Sequence, residues 1–289
     1  IAFLARFRAL LDRYEGRMTV GEVGDGARSL KTVATYTSSG DKLNMCYTFD
    51  LLGPDFTAAH IRRCVENFQK AVTDGWVCWA FSNHDVTRHV SRFAHTEAER
   101  ERVARLAITL LSALRGSICL YQGEELGLPE AELAFEDLRD PYGIRFWPSY
   151  KGRDGCRTPM VWEENAVNAG FTGGKPWLPV PEDHRRLSVD AQQAGDTVLD
   201  HYRATLAFRR SQPVLSDGTM RFLDTNSDLL AFVREKDGDR LLFVFNLTRE
   251  PLEFLAPAAV EPLELPGYPA RLEAGSIRVA GLSAFAGKY

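Results

Sequence analysis

Four polar residues of different chemical kinds follow a short apolar stretch of the chain. The stretch, residues 76–79 (Trp-Val-Cys-Trp), is too short for a helix and rich in β-branched and aromatic residues, which predicts a buried strand. Asn83, His84, Asp85 and Arg88 come soon after it. Groups of this kind could bind polar ligands or move protons, and burying them without partners would cost stability. In a barrel of parallel strands, chemistry is located where the strands end, although His-Asp taken alone better fits a turn or a helix cap.

A further carboxylate stands at the predicted end of an earlier strand. Glu22 lies between Gly21 and Gly24. Glycines let neighbouring backbone approach closely and leave a carboxylate uncrowded. A solvent-exposed glutamate at a strand end is the ordinary alternative, so the case for Glu22 depends on the motifs around it.

Four blocks of sequence, in this order, resemble the α-amylase family, glycoside hydrolase family 13. They are residues 18–25 (MTVGEVGD), 80–88 (AFSNHDVTR), 120–127 (LYQGEELG) and 152–162 (GRDGCRTPMVW). The first resembles the strand that carries the family's general acid/base, the second a signature block, and the third the last barrel strand. The fourth resembles a block specific to α-glucosidases and oligo-1,6-glucosidases. The resemblance covers nearly the whole chain and is loosest toward its C-terminal end.

The resemblance implies a retaining, exo-acting α-glucosidase in which Glu22 and Asp85 are catalytic. Glu22 would be the general acid/base, which protonates the leaving oxygen and then deprotonates water. That role requires a pKa raised by burial and by nearby carboxylates. Asp85 would be the family's third carboxylate, which binds hydroxyls of the glucosyl ring and, by like-charge proximity, raises the pKa of Glu22. His84 would hydrogen-bond the same ring.

The same resemblance implies further substrate-binding residues in three other places. Arg153 would close the pocket around the terminal glucose and Arg157 would brace it, whereas a surface ion pair with Asp154, worth little, is the alternative. Phe49 ends the second predicted strand and could stack on the aglycone, with core packing as the alternative. Arg88 belongs to the signature block and is expected to bind substrate with it.

One part of the family pattern has no counterpart in this chain. The family's nucleophile is an Asp on the fourth strand, and the chain starts just after that point, without the calcium- and substrate-binding blocks of the first half. Asp12 lies in a predicted helix and Asp25 follows the acid/base block, so neither substitutes. We therefore expect the chain alone to be inactive and its partner to be the N-terminal portion of the same enzyme. Glu124 and Glu125 are expected to support the last loop.

The composition is that of an ordinary globular chain. Its 289 residues are 45% hydrophobic and 26% charged, with a net charge of −4 and no block of like charges. These values argue against a nucleic-acid or anionic-membrane partner, and no apolar run reaches the length of a membrane span. Scattered cysteines favour a reducing, cytoplasmic setting. We expect a small oligosaccharide or glucoside as the substrate, and no cofactor or metal ion.

Strands and helices alternate in the first part of the chain. The predicted strands cover residues 17–23, 43–52, 76–79 and 117–121. The predicted helices cover residues 1–11, 25–36, 57–72 and 96–114, the last with Thr96 as its N-cap. Continuously apolar strands separated by helices predict a parallel sheet. The resemblance makes them strands five to eight of a (β/α)8 TIM barrel.

The pattern changes after the barrel strands. Residues 128–187 form a long irregular segment, expected to be an active-site loop, and a helix is predicted at 190–210. Short strands with a period of two follow, at residues 219–223, 229–234 and 241–246. We assign residues 1–212 to the second half of the catalytic TIM barrel and 213–289 to a small antiparallel β-sandwich domain.

Two other functions stay open at this point. One is a sucrose-acting isomerase or hydrolase, although the isomerase branch has an Arg-rich loop that this chain lacks at and after residues 47–50. The other is a non-catalytic relative that acts as a binding or scaffold subunit, like the ectodomain of amino-acid-transporter heavy chains. The presence of Glu22, His84 and Asp85 favours an enzyme. A polymer-cleaving amylase is disfavoured because the 152–162 block belongs to the oligosaccharide branch.

Overall fold

A computed structural model describes residues 1–225, 228–256, 259–269, 272–273 and 275–289. Its helices are α1 (Ala2–Leu11), α2 (Ser29–Thr37), α3 (Ala58–Ala71), α4 (His89–Phe93), α5 (Arg100–Ala113), α6 (Pro141–Phe146), α7 (Glu182–Arg185), α8 (Val198–Ser211) and α9 (Pro213–Asp217). Its strands are β1 (Val20–Val23), β2 (Met45–Thr48), β3 (Val77–Trp79), β4 (Ser117–Ile118), β5 (Thr219–Phe222), β6 (Leu229–Lys236), β7 (Asp239–Asn246), β8 (Leu252–Leu255), β9 (Glu261–Leu263), β10 (Leu272–Glu273), β11 (Ser276–Val279) and β12 (Ser283–Lys288).

The first four strands form one parallel sheet, in the order β1-β2-β3-β4, within the part of the chain that the structure describes. The register pairs Tyr47 with Glu22 on one side and with Cys78 on the other. On the outer face, Trp79 meets Phe68 of α3, with ring centroids 5.7 Å apart. The predicted fold class is confirmed: this is the C-terminal half of a (β/α)8 barrel, followed by antiparallel β structure.

Helix α3 shows why the sequence pattern predicts the barrel helices well. Thr57 caps it, because its side-chain oxygen accepts from the His60 N–H at 3.2 Å. Ile61, Val65 and Phe68 recur at helical spacing and are buried together against the sheet. The helix predicted at 57–72 is therefore confirmed as Ala58–Ala71.

Several predicted element boundaries are wrong: the first strand begins at Val20 rather than 17, α2 begins at Ser29 rather than 25, and the fourth strand ends at Ile118 rather than 121. Three further differences have a clear physical reason. Thr96 makes no side-chain capping bond, because a 3-10 turn at Glu97–Glu99 separates it from α5. The helix predicted at 190–210 begins only at Val198, after Gly195 takes a positive φ of 102°. The second strand ends at Thr48, because Leu51 and Leu52 are buried in the loop that follows rather than in the sheet.

The C-terminal part of the chain is antiparallel. One sheet has the order β5-β6-β7-β12-β9 and another β10-β11-β8 among the described residues. The β6–β7 hairpin turns at Asp237 and Gly238, whose φ values of 53° and 91° suit a primed turn. The three strands predicted at residues 219–223, 229–234 and 241–246 are confirmed as β5, β6 and β7. The expected period of two is found in β5 only, because β6 and β7 are buried on both faces.

Arg234 joins the two parts of the fold. It is 0% exposed, and its guanidinium donates to the carbonyl of Ala113, the last residue of α5, at 2.8 Å. It also donates to the carbonyls of Val214 and Gly218, at 3.1 and 3.0 Å, around the end of α9. Because one apolar cluster also runs across the 212/213 junction, the division into two domains there stays a prediction.

Candidate active site

Glu22 and Tyr47 stand side by side at the ends of β1 and β2. The Tyr47 hydroxyl donates to Glu22 Oε1, and Asn83 Nδ2 donates to the Tyr47 oxygen at 3.1 Å. Burial, followed by the hydrogen bond to the Glu22 carboxylate, raises the pKa of Tyr47, so the phenol stays a donor. The Glu22 carboxyl is itself exposed.

The glycines beside Glu22 have a steric role. A Cβ on Gly21 would lie 2.8 Å from Cys46 Sγ, and one on Gly24 would lie 2.5 Å from the Phe49 ring. Strand β2 can therefore approach β1 closely, and Phe49 can lie over the strand ends. Phe49 is 42% exposed and its ring centroid is 5.7 Å from that of Tyr47, so it is not a core residue.

The turn after β3 brings a histidine and a second carboxylate to the same place. Asn83 Oδ1 accepts from the Asp85 backbone N–H at 2.8 Å, which fixes the turn. His84 Nε2 lies 3.5 Å from Asp85 Oδ1. Ligand atoms of Glu22, His84 and Asp85 all lie within 4.8 Å of one another. Three strand-end residues that the sequence singled out are thus brought together.

Two guanidinium groups hold Asp85. Arg153 Nη1 donates to Asp85 Oδ1 at 3.0 Å, and Arg157 Nη2 donates to the same oxygen at 2.7 Å. Arg157 also donates to the His84 carbonyl at 2.7 Å. The long loop after the last barrel strand therefore folds back over the strand ends, as its position in the sequence suggests.

Asp140 holds Arg153 from behind. Arg153 Nε donates to Asp140 Oδ2 at 2.8 Å and Nη2 donates to Oδ1 at 3.2 Å, a bidentate pair. These bonds lower the pKa of Asp140 to about 2. Asp154 accepts instead from the backbone N–H groups of Arg139 and Asp140, at 2.6 and 2.7 Å. The surface ion pair considered for Arg153 and Asp154 is therefore not the one that forms.

Arg88 lies below the site rather than in it. It is 1% exposed, and its guanidinium donates to the carbonyls of Gln122 at 2.6 Å and Cys156 at 3.0 Å. It also lies over the Tyr121 ring, 5.3 Å from the centroid. These contacts hold the Arg88 guanidinium in the interior, so Arg88 is not at the surface where the expected direct contact with substrate would be made. Arg88 instead joins the loops that carry the surface residues.

A cation could in principle compete for this cluster. Glu22, His84 and Asp85 are the group of three that could hold a metal ion among the described residues. Asp85 already accepts from two guanidinium groups, which would repel a metal ion at the same oxygen. The donor set therefore fits a polar, uncharged ligand better than a cation.

Three residues of this arrangement were not among the predicted site residues. Tyr47 pairs in register with Glu22, so its position follows once the β1–β2 pairing is known. Asn83 belongs to the signature block, but its bridging role depends on Tyr47. Asp140 comes from a stretch without periodicity, and the sequence holds no signal that places it behind Arg153.

Comparisons with known proteins agree with the fold. The model of the family described as "Alpha amylase, catalytic domain" matches residues 1–218. A "probable alpha-glucosidase" of Rhizobium meliloti is 46% identical over 289 residues, 99% of this chain and 52% of that protein. An oligo-1,6-glucosidase of Heyndrickxia coagulans is 30% identical over 86% of this chain and 51% of its own length. The chain thus spans about half the length of the curated relatives it matches.

Solved structures give the same result. The crystal structure of an α-glucosyl transfer enzyme has a TM-score of 0.93 and 48% identity, covering 99% of this chain and 54% of that one. A trehalulose synthase from Pseudomonas mesoacidophila has a TM-score of 0.85 and 26% identity, covering 99% and 58%. Within the described residues, none of the helices is both long and apolar enough to cross a membrane.

Proposed function

Because this chain belongs to the α-amylase family, we propose that it supplies half of the active site of a retaining, exo-acting α-glucosidase. The substrates would be short α-glucosides of the maltose, sucrose or isomaltose kind, with transfer of glucosyl groups to alcohols as a side reaction. A cytoplasmic location is part of the same proposal. The relatives named α-glucosidase and oligo-1,6-glucosidase support the reaction class.

The observation that carries the proposal is the convergence of Glu22, His84 and Asp85 within 4.8 Å at the carboxyl ends of parallel strands. In this proposal Glu22 is the general acid/base, and the Tyr47 hydroxyl that donates to it orients the carboxyl. Asp85 accepts hydrogen bonds from hydroxyls of the glucosyl ring, and His84 borders the same ring. A site built this way reads a polar, uncharged ligand through fixed donors and acceptors.

The arginine-bearing loop supports exo-action. Arg153 and Arg157 both reach Asp85, so the loop closes one side of the space above it. Arg suits this task because its planar, always charged guanidinium presents several donors in fixed directions. With Asp85 and Asp140 accepting some of these donors, the remaining ones are available to the outer hydroxyls of a terminal glucose.

The nucleophile would come from polypeptide outside residues 1–289, and so would the other barrel half. Four parallel strands cannot close a barrel, and β1 and β4 are the outermost strands of the described sheet. Met18 and Val20, just before and at the start of β1, are exposed at 64% and 45%. Polypeptide that covers β1 would also bury Glu22, which lies on the same strand, as a general acid requires. We expect the nucleophilic carboxylate about 5–5.5 Å from that of Glu22.

The test is Glu22→Gln in a protein that carries both barrel halves. Turnover of maltose-sized substrates should be abolished, because their poor leaving groups need a proton. The first step with activated aryl glucosides should keep far more of its rate, since their leaving groups do not need the acid. Glu15→Gln, an exposed glutamate in the segment before β1, is the matched control. Equal loss with both substrates would contradict the acid/base role.

A sucrose-acting isomerase is the second candidate, because trehalulose and isomaltulose synthases share this fold. The two candidates differ in their products. With sucrose as the only substrate, an α-glucosidase should release free glucose and fructose, whereas an isomerase should return mainly a rearranged disaccharide. Chromatography of the products decides between them.

A further inference from the structure

A buried polar pair lies beneath the turn that carries Asp85. Ser82 and His89 are 2% and 1% exposed. The His89 backbone N–H donates to Ser82 Oγ at 2.9 Å, and the same oxygen lies 3.1 Å from His89 Nδ1. We refer to this pair as the 82–89 staple, because it ties the two ends of the turn together.

The staple bears directly on the site residues. Ser82 precedes Asn83, whose side chain accepts from the Asp85 N–H and donates to Tyr47. His89 begins α4 at the other end of the turn. With both ends fixed, the turn has little freedom to carry Asp85 away from Glu22. A change in the staple should therefore be felt at Asp85.

Glu124 lies against the staple from the next strand end. It is 3% exposed, and its Oε1 lies 3.9 Å from His89 Nδ1. The Ser82 hydroxyl and the Tyr121 amide face its carboxyl, but within the described residues neither oxygen has a partner at normal hydrogen-bond geometry. A buried carboxyl without close donors is more stable uncharged than ionised.

The nearest cations do not pair with Glu124. Arg88 and Arg92 contribute attraction from a distance, but their guanidinium groups donate to backbone carbonyls, such as Gln122 O at 2.6 Å and Gly53 O at 2.7 Å. Burial therefore outweighs them and raises the pKa of Glu124 to about 8. The carboxyl holds its proton at neutral pH.

The other groups that face Glu124 do not offset a negative charge either. Burial lowers the pKa of His89 to about 3, so its imidazole is uncharged. Glu125 adds like charge, and Tyr202 of α8 is a buried phenol whose pKa burial raises well above the ordinary range. An ionised Glu124 would thus face neutral or negative groups at close range. It would compete with His89 for the Ser82 hydroxyl.

We propose that Glu124 is a positioning residue that supports the 82–89 staple and, through it, Asp85. In its uncharged form the carboxyl lies under the staple without drawing on its hydrogen bonds. Once ionised it takes the Ser82 hydroxyl for itself, which loosens the turn. An effect of Glu124 ionisation on sugar binding rests on the proposed function, whereas the link between Glu124 and Asp85 does not.

The test follows the backbone amide signals of Ser82 and Asp85 by NMR as a function of pH, in a protein that carries both barrel halves. In the wild type both signals should shift with a common midpoint near pH 8, the pKa of Glu124. In Glu124→Gln, which is uncharged at every pH, this transition should be absent. Asp85 is the decisive probe, because its N–H donates to Asn83 and, among the described residues, no hydrogen bond or ion pair joins it to Glu124.

The matched control is Glu125→Gln. Glu125 is the adjacent carboxyl, partly exposed, and burial raises its pKa too. The transition at Ser82 and Asp85 should survive in this variant. A transition that persists in Glu124→Gln, or one that disappears in Glu125→Gln, would overturn the assignment.

Affinity for glucose then separates this inference from the proposed function. In a protein with both barrel halves, the wild type should bind glucose several-fold more weakly at pH 9 than at pH 7, and Glu124→Gln should not show this weakening. If the wild type binds no glucose at any pH, the proposed function fails. The NMR titration still decides whether Glu124 acts on Asp85.

Discussion

The two carboxylates of the candidate site are held in opposite ways. Asp85 accepts hydrogen bonds from the guanidinium groups of Arg153 and Arg157, and the Asn83 side chain accepts from its backbone N–H. All of these partners belong to this chain. The Glu22 carboxyl accepts a hydrogen bond from the Tyr47 hydroxyl and is otherwise exposed to solvent among the described residues. The two groups lie within 4.8 Å of each other, so the contrast is not one of location.

This contrast indicates that the two sides of the site differ in how far this chain alone fixes them. We call the side formed by Asp85, Arg153, Arg157 and Asp140 the Asp85 wall, and the side formed by Glu22 and Tyr47 the Glu22 wall. The Asp85 wall is preorganised, because its loops fix the acceptor before any ligand arrives. In the proposed function, other polypeptide completes the side of the site that Glu22 lines and buries its carboxyl. Substitutions in the Asp85 wall should therefore lower the stability of this chain strongly. Substitutions in the Glu22 wall should affect mainly the catalytic rate.

Removing Arg153 should have the largest effect. Arg153→Ala leaves the carboxylate of Asp140, whose side chain is 0% exposed, without its bidentate partner. Breaking such a pair costs roughly 3–5 kcal/mol when fully buried. Since the Arg153 side chain is 31% exposed, we expect a loss of about 2–3 kcal/mol in the free energy of unfolding. In a protein with both barrel halves, kcat/KM on maltose-sized substrates should also fall sharply, because the donors of Arg153 no longer fix Asp85.

Lys at position 153 should restore only part of this loss, because an ammonium cannot form the bidentate pair. Arg145→Ala, which removes an exposed guanidinium over the Phe146 ring, is the control and should leave kcat/KM nearly unchanged. Near-normal efficiency of Arg153→Ala in a protein that stays folded would remove the main support for the preorganised wall.

Acid should weaken the Asp85 wall next. The pKa of Asp140 in the folded chain is about 2, below its ordinary 3.8, because of the bonds from Arg153. The stabilisation is therefore complete above about pH 4 and is lost as the pH falls toward 2. Urea unfolding at pH 5 and pH 3 should show a smaller loss of stability in Asp140→Asn than in the wild type. Asp12→Asn, at an exposed carboxylate, should behave like the wild type.

Tyr47→Phe should have a moderate effect, confined to the Glu22 wall. The change removes the donor to Glu22 and the acceptor of Asn83. Bonds of this kind are worth about 1–2 kcal/mol, so kcat should fall roughly 5- to 30-fold in a protein with both barrel halves. KM should change less, because Asp85 keeps both of its arginines. A loss confined to KM would show that Tyr47 belongs to the binding wall instead.

Glu22→Gln should have the smallest effect on this chain itself. Because the Glu22 carboxyl is exposed and has a single side-chain bond among the described residues, its free energy of unfolding should change by less than about 0.5 kcal/mol. Chemical denaturation of the two chains measures this directly. A loss as large as that of Asp140→Asn would mean that both walls are equally preorganised, and the contrast drawn above would be wrong.

Local patterns predicted the elements whose burial is regular. The buried stripe of α3 can be read from the sequence, because one face of the helix packs against the sheet. Strands β6 and β7 are buried on both faces, from Leu229 to Arg234 and from Leu241 to Asn246, so a continuous apolar run marks them instead. Thr96 has the residue type of a helix cap, but a 3-10 turn follows it, and no local sequence pattern marks that turn. The short helix α4 has too few residues to show a period.

The site was predictable where it lies on strand ends and not where it depends on loops. Glu22, His84 and Asp85 follow strands whose order fixes their neighbourhood. Arg88 is buried because loops, including the one with Cys156, cross over it. Asp140 pairs with Arg153 because of the path of a segment that has no periodic pattern. Neither path has a signature in local sequence, because tertiary contacts alone determine it.

Arg234 of the C-terminal sheet is hydrogen-bonded to the end of a half-barrel helix. Its guanidinium satisfies carbonyls at the ends of α5 and α9, which have no partner within their own helices. A chain cut before β6 would therefore leave two helix ends exposed, as well as an apolar face. The two parts should melt as one cooperative unit, with a single calorimetric peak. For the same reason, transplanting the C-terminal sheet into another enzyme would succeed only where the recipient offers the same carbonyl acceptors.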